Sequence, residues 1–266
     1  MTEAPPPYST GPKAQVVSHP TEASMLSDDQ LWCLRGYDIV YIVDDSTSMS
    51  WTEKRSGIVP WPHARDALMT FSSICEEWDE DGQDLWFLNR AEPLLHATPR
   101  QIEEAFNSNS PRGGTNMGRK LLQVISTYFN DYTPSSKPLN IVAITDGQFS
   151  DDVTSTIKWI DKELDKRNAL PNQIGIQFVQ IGADPQAEKC LRMLDDDLQH
   201  MGLSRDLVDT VPWIADKADG KNFDGKYLIK VVCGAINKRL DNDNVGRKTK
   251  PPVKKSKFRR LFGRMD

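Results

Sequence analysis

No stretch of about 18 consecutive apolar residues occurs in this 266-residue chain, so the sequence offers no candidate membrane-spanning helix. The N-terminal MTEAPPPYSTGPKAQ lacks the apolar core of a signal peptide. Cysteine is scarce. Cys33, Cys75, Cys190 and Cys233 are widely spaced and form no CxxC pair. They read as reduced thiols, acting as small buried hydrophobes, in a cytoplasmic or nuclear protein. The histidines are equally scattered and offer no zinc spacing. There is no P-loop and no GxGxxG, which removes the usual phosphate- and dinucleotide-binding fingerprints.

What the chain does have is unevenly distributed charge. The formal net charge is −5, yet residues 247–266 hold nine Lys/Arg against one Asp, which leaves −13 on the rest. An acidic body argues against nucleic-acid binding by the core, and a basic tail suggests a partner of its own. Residues 241–266 are therefore expected to be a basic, flexible tail. Within it KKSKFRR resembles a nuclear-localisation cluster that an importin would read. Phe258, Leu261 and Phe262 among Lys/Arg would suit an anionic membrane surface. Arg259, Arg260, Leu261 and Phe262 resemble a cyclin-docking RxLF motif, and a merely solvated tail is the plain alternative. Residues 1–30, rich in Pro, Ser and Thr, are expected to be disordered. They contain Pro5, Pro6, Pro7 and Tyr8, a PPxY-like ligand for a WW domain or simply part of a polar tail.

Between the tails, residues 36–240 alternate strand and helix patterns. Strand-like runs occupy 38–43, 84–88, 139–144 and 174–181, with a short one near 208–213. Helical spacing marks 64–78, 99–106, 116–129, 153–164, 185–195 and 226–240. Strands separated by helices of about 10–15 residues pair in parallel through right-handed crossovers. The predicted fold is a doubly wound, mostly parallel open α/β sheet of five to six strands with helices on both faces. Sheets of this kind bind ligands at the carboxyl ends of their strands.

Three loops deliver small oxygen-bearing side chains to that edge. DDSTS follows the strand ending at Val43, PRGGTNMG opens the helix near 116, and TDG follows the strand ending at Ile144. Together they supply Asp44, Ser46, Ser48, Thr115 and Asp146. Gly113 and Gly114 would let the backbone turn tightly before Thr115. An all-oxygen set of carboxylates and hydroxyls suits Mg²⁺ or Mn²⁺ rather than zinc or copper. Taken singly, each residue has a plainer explanation. Ser46 and Ser48 could be turn residues or caps, Thr115 could cap its helix, and Asp146-Gly147 could be an ordinary turn. Asp45 is placed by the alternation away from the cage, on the rim. Asp151 and Asp152 read as rim charges or first-turn helix residues.

DxSxS, GGT and TDG, in this order on alternating elements, resemble the metal-ion-dependent adhesion site of the von Willebrand factor type A domain. PHARDAL, DGQDLWFLN, SPRGGTNMGRKL and ITDGQFSDD resemble intracellular members of that family over about residues 36–240. The resemblance implies Ser46, Ser48 and Thr115 as hydroxyl ligands, with Asp44 and Asp146 binding directly or through water. It implies adhesion rather than catalysis, with an acidic residue of a partner protein completing the coordination. Trp51, Ile58, Val59 and Trp61 lie between the first loop and the first helix, as partner contacts or folded back onto the core. The rival function is a metal-dependent phosphatase or phosphotransferase with DxDx[TV]. Here Ser46 stands where the second aspartate, the general acid, would be. A third reading is a scaffold that acts mainly through its PPPY and basic-tail motifs.

Overall fold

The computed structural model describes residues 31–79, 82–200, 202–211, 228–229 and 231–236, apart from the side chains of 195–197, 199 and 200. Both expected tails, with Pro5 to Tyr8 and Arg259, Leu261 and Phe262, lie outside the described residues.

Strand β1 (Asp38–Val43, DIVYIV) is β-branched and aromatic almost throughout, and it is buried on both faces. Ile39, Tyr41 and Val43 enter one core cluster, while Val40 and Ile42 enter a second on the opposite face. Apolar residues at every position, rather than at alternate ones, are what a strand covered by helices on both sides requires. β2 (Gln83–Phe87) and β4 (Leu139–Thr145) flank β1 in parallel, and β5 (Ile174–Gln180) and β6 (Val208–Val211) continue the sheet. β3 (Leu94–Ala97) closes the other edge antiparallel to β2. The order of the six strands is β3-β2-β1-β4-β5-β6.

The edge strand β3 is not legible in the sequence. It spans four residues, two of them exposed, and LLHA has no period-2 alternation to announce it. The other expected elements are present with shifted ends. The first helix, α1, runs Pro60–Cys75, with Pro60 at the first helical position where a missing N–H is tolerated. Helices α2 (Pro99–Ser108), α3 (Met117–Asn130), α4 (Val153–Lys166) and α5 (Pro185–His200) follow. Helical residues are also described within the expected 226–240 segment, at 228–229 and 231–236.

The two clusters define the layers. α1, α2 and helical residues 228–229 and 231–236 cover one face through Leu68, Phe71, Phe106 and Val232. α3, α4 and α5 cover the other through Leu121, Ile125, Ile157, Ile160 and Leu191. Inside the sheet Gln177 Nε2 donates to Asn140 Oδ1 at 3.0 Å, a buried amide bond joining β5 to β4. Among the described residues no helix is long and apolar enough to cross a membrane.

Trp61 folds back onto the core. Its ring lies 4.6 Å from that of Phe106 and 5.6 Å from that of Phe87. Phe106 is 1% exposed and meets Phe87 edge-on at 5.4 Å. This aromatic trio ties the first turn of α1 to α2 and to the end of β2. Phe106→Ala is expected to destabilise the fold by about 3–5 kcal/mol through lost transfer energy and the cavity left behind. Urea unfolding should show a lower midpoint with an unchanged slope.

Candidate functional site

The parallel pairing of β1 with β4 sets Val43 opposite Ile144, and the ladder continues with Asp44 N donating to Ile144 O at 2.9 Å. The next residues of both strands therefore leave the sheet at the same place. Asp44 turns its carboxylate inward. Its Oδ2 accepts from Thr145 Oγ1 at 2.7 Å, and its Oδ1 accepts from Ser46 N at 2.8 Å. Ser46 Oγ lies 3.0 Å from Ser48 Oγ, and Ser48 Oγ donates to Asp146 Oδ1 at 2.9 Å. Asp44, Ser46, Ser48 and Asp146 thus form one linked run of oxygens from two loops.

Thr115 reaches the same edge through its backbone. Its N–H donates to Ser150 Oγ at 3.1 Å, and its carbonyl accepts from Ser150 N at 2.9 Å. The preceding Gly113 has φ +83, as the tight turn requires. Gly114 has no such conformation. Gly113 O accepts from Thr47 N and from Thr47 Oγ1, each at 3.2 Å, which fastens the loop carrying Thr115 to the DDSTS loop.

The plainer explanations can now be weighed. Ser46 precedes the short 3-10 turn Thr47–Ser50 without capping it by its side chain. The first amides of α3 are satisfied by Asp151, whose two oxygens accept from Gly118 N at 3.0 Å and Arg119 N at 2.7 Å. Asp151, rather than the Thr115 side chain, therefore caps the first turn of α3. Asp146 bonds across 98 positions to Ser48, more than a local turn needs. Asp152 caps α4 by accepting from Ser155 N at 2.9 Å, so Asp151 and Asp152 are helix-terminus residues.

Asp45 corrects the sequence reading. It is 0% exposed and not on the rim. Its Oδ1 accepts from Asn89 N at 2.7 Å and Asn89 Nδ2 at 3.0 Å. Its Oδ2 lies 3.1 Å from Arg90 Nε, close enough for charge pairing though not aligned as a hydrogen bond. Asn89, Thr145 and Ser150 were not singled out from the sequence. A polar residue just after a strand reads as a turn, and only the tertiary fold shows what it meets.

Electrostatics separate the carboxylates. Burial raises the Asp146 carboxyl to about 7, with the nearby charge of Asp44 adding to it. Burial also raises Asp44, against hydrogen bonds from Thr145 and Ser46 that favour its charged form. Among the described residues no Lys or Arg pairs with either, unlike Asp45 with Arg90. Among the described residues, too, no group of three or more His, Cys, Asp or Glu side chains could hold a metal ion.

Around these oxygens, Trp51 stands 64% exposed, whereas Ile58 packs with Trp61 against the core. A recess of about 520 Å³ begins at Gln148, two residues past Asp146, and runs along Phe149, Asp152, Lys189 and Met193 between the start of α4 and α5.

A six-stranded sheet of this order, covered by helices on both faces, is the doubly wound, mostly parallel α/β fold expected from the sequence, with DDSTS and TDG at the carboxyl ends of its two adjacent central strands. No protein-family model matches the chain. No curated protein matches it. Among solved structures it is similar to an aerotolerance-related membrane protein from Bacteroides fragilis, at 13% identity and a TM-score of 0.48, over 76% of this chain and 99% of that one. It is similar to the SpRpn10 VWA domain at 12% identity and a TM-score of 0.47, over 70% and 93%. It is also similar to a manganese-loaded TRAP protein from Plasmodium vivax at 14% identity and a TM-score of 0.44, over 76% and 74%. These likenesses are slight in sequence and in superposition.

The raised carboxyl of Asp146 gives the metal-free protein a pH signature. Its folded value is about 7 against an ordinary 3.8, so the folded state keeps a proton that the unfolded chain has released. Stability in EDTA should therefore fall as pH rises from about 4 to about 7 and level off above. Asp146→Asn should match the wild type near pH 4 and be more stable at pH 8, by on the order of 2–4 kcal/mol. Urea midpoints across that range check it, and equal midpoints at pH 8 would contradict the burial account.

Proposed function

We propose that this domain is a divalent-cation-dependent protein-interaction module. Asp44, Ser46, Ser48, Thr115 and Asp146 would hold Mg²⁺ or Mn²⁺, and an acidic side chain of a partner protein would complete the coordination. The observation that carries this reading is that Asp44, Ser46, Ser48 and Asp146 form one linked run of oxygens where β1 and β4 leave the sheet, with no cationic side chain of the described residues paired to either carboxylate. Two such groups brought to one edge oppose each other, and a hard cation relieves that opposition. Ser46 and Ser48 add neutral oxygens, which ligate without cancelling the ion's charge. When bound, the cation would supply electrophilic attraction for an outside anion. The chain's part is to orient oxygens toward it and leave its outer side open.

The surroundings suit a protein ligand. Trp51 offers an exposed aromatic surface, and the recess beginning at Gln148 could receive side chains next to the partner's carboxylate. A binding role fits better than phosphoryl transfer. Ser46 replaces the general acid, and the Asp45 carboxylate is buried against Asn89 and Arg90. The tails would add contacts of their own, a WW domain at Pro5 to Tyr8, and an importin at KKSKFRR, an anionic membrane at Phe258, Leu261 and Phe262, or a cyclin at Arg259 to Phe262.

Calorimetric titration of the full chain with Mn²⁺ should show one site. Asp44→Ala should abolish it while leaving the far-ultraviolet circular dichroism unchanged. Proteins captured from a lysate in Mg²⁺ should be released by EDTA and missed by the Asp44→Ala variant, whereas tail-bound proteins should persist. Capture that is indifferent to both chelation and Asp44→Ala would remove the cation from the function.

A further inference from the structure

Three separate segments meet at one side chain beside the candidate cage. Asn89 follows β2, and its amide nitrogen donates both to Asp45 Oδ1 at 3.0 Å and to Gly114 O at 2.9 Å. Both partners only accept, so the amide can face them in one orientation alone. Asp45 is flanked in sequence by two of the cage residues, Asp44 and Ser46, and Gly114 precedes a third, Thr115. The Asn89 side chain therefore bridges the DDSTS loop and the loop that carries Thr115.

The surrounding contacts make this bridge tight. Asn89 N also donates to Asp45 Oδ1, and Arg112 N donates to Asp45 O at 2.6 Å. Arg90 pairs with Asp45 and donates through Nη2 to Ser110 O at 2.7 Å, at the start of the same loop. Gly113 packs directly on the amide. A Cβ there would fall 2.4 Å from Asn89 Oδ1, besides having to adopt φ +83. The loop can lie where it does only because residue 113 has no side chain and residue 89 presents a short amide.

We infer, building on the cation-dependent reading above, that Asn89 is a positioning residue for the metal cage. Anchored on the buried Asp45 carboxylate, it holds the Gly113–Gly114 backbone so that Thr115 stands with Asp44, Ser46, Ser48 and Asp146. Asn89 touches no ion itself. Its removal frees Gly114 O and lets Thr115 withdraw, so the cage loses a ligand while its other oxygens stay in place. Groups that orient ligands in this way typically contribute about 10–100-fold to metal affinity.

The test uses Mn²⁺ alone on the full chain, by titration calorimetry and by water-proton relaxation, which counts waters on the bound ion. Asn89→Ala should weaken Mn²⁺ binding by about 10–100-fold and add one coordinated water. Thr115→Ala should add the same water, and the double variant should bind no more weakly than Thr115→Ala alone, because both changes remove one ligand. Gly113→Ala pushes the same loop from the other side and should reproduce the loss. It carries the test if Asn89→Ala does not fold, as judged by urea unfolding in EDTA. Wild-type affinity and hydration in Asn89→Ala, or a loss that adds fully to that of Thr115→Ala, would overturn the positioning role while leaving the cation site standing. A wild-type chain that takes up no Mn²⁺ would overturn the cation site and the positioning role together.

Discussion

The parallel pairing of β1 with β4 is the constraint on which the rest depends. Val43 lies opposite Ile144, so the residues that follow, Asp44 on one strand and Thr145 and Asp146 on the other, leave the sheet side by side. The Thr145 hydroxyl bonds the Asp44 carboxylate across 101 positions of sequence. Neither strand could be moved without separating the carboxylates, and both strands are fixed by burial on two faces. The loops add detail to a meeting point that the sheet has already chosen.

At that meeting point the chain tolerates an arrangement that folding alone would not favour. Asp44 and Asp45 are adjacent and both buried, yet their circumstances differ. Asp45 is matched by Arg90 and by two donors of Asn89, so its charge is compensated inside the protein. Asp44 receives hydroxyl and amide donors but no cationic side chain, and it raises the proton affinity of Asp146 beside it. Breaking a buried pair costs about 3–5 kcal/mol, which marks Asp45 as a structural anchor. An uncompensated carboxylate pair costs stability instead, and local costs of that kind concentrate at functional sites.

Much of this was legible in the sequence because the signals were of the right period and composition. The near-continuous apolar runs of β1, β4 and β5 announced a parallel sheet, and the small polar residues immediately after β1 and β4 marked where those two strands leave it side by side. β3 was not legible, because a four-residue edge strand with two exposed positions has no pattern. Asp45 was misplaced for a different reason. Alternation along a strand says which face a residue takes, but not whether a neighbouring loop closes over that face. Here Asn89 and Arg90 close over it, and they come from the turn after β2. Trp61 shows the same limit, since its aromatic neighbours Phe87 and Phe106 lie in two later elements.

The amide bond between Asn140 and Gln177 has a consequence for how the chain finds this arrangement. Apart from Asn140, Thr145, Gln177 and Gln180, β4 and β5 are apolar or glycine, so sliding one along the other would mostly exchange hydrocarbon for hydrocarbon at little cost. The two amides give the pair an address. A slip of two residues would preserve which face each side chain takes but would part Asn140 from Gln177 in a dry interior, at a cost of roughly 2–7 kcal/mol per stranded group. It would also displace the loop after β4, and Asp146 with it, by about 6–7 Å along the strand. Misalignment at the middle of the sheet and a scattered run of oxygens at its edge are thus the same error, and one buried bond discriminates against both.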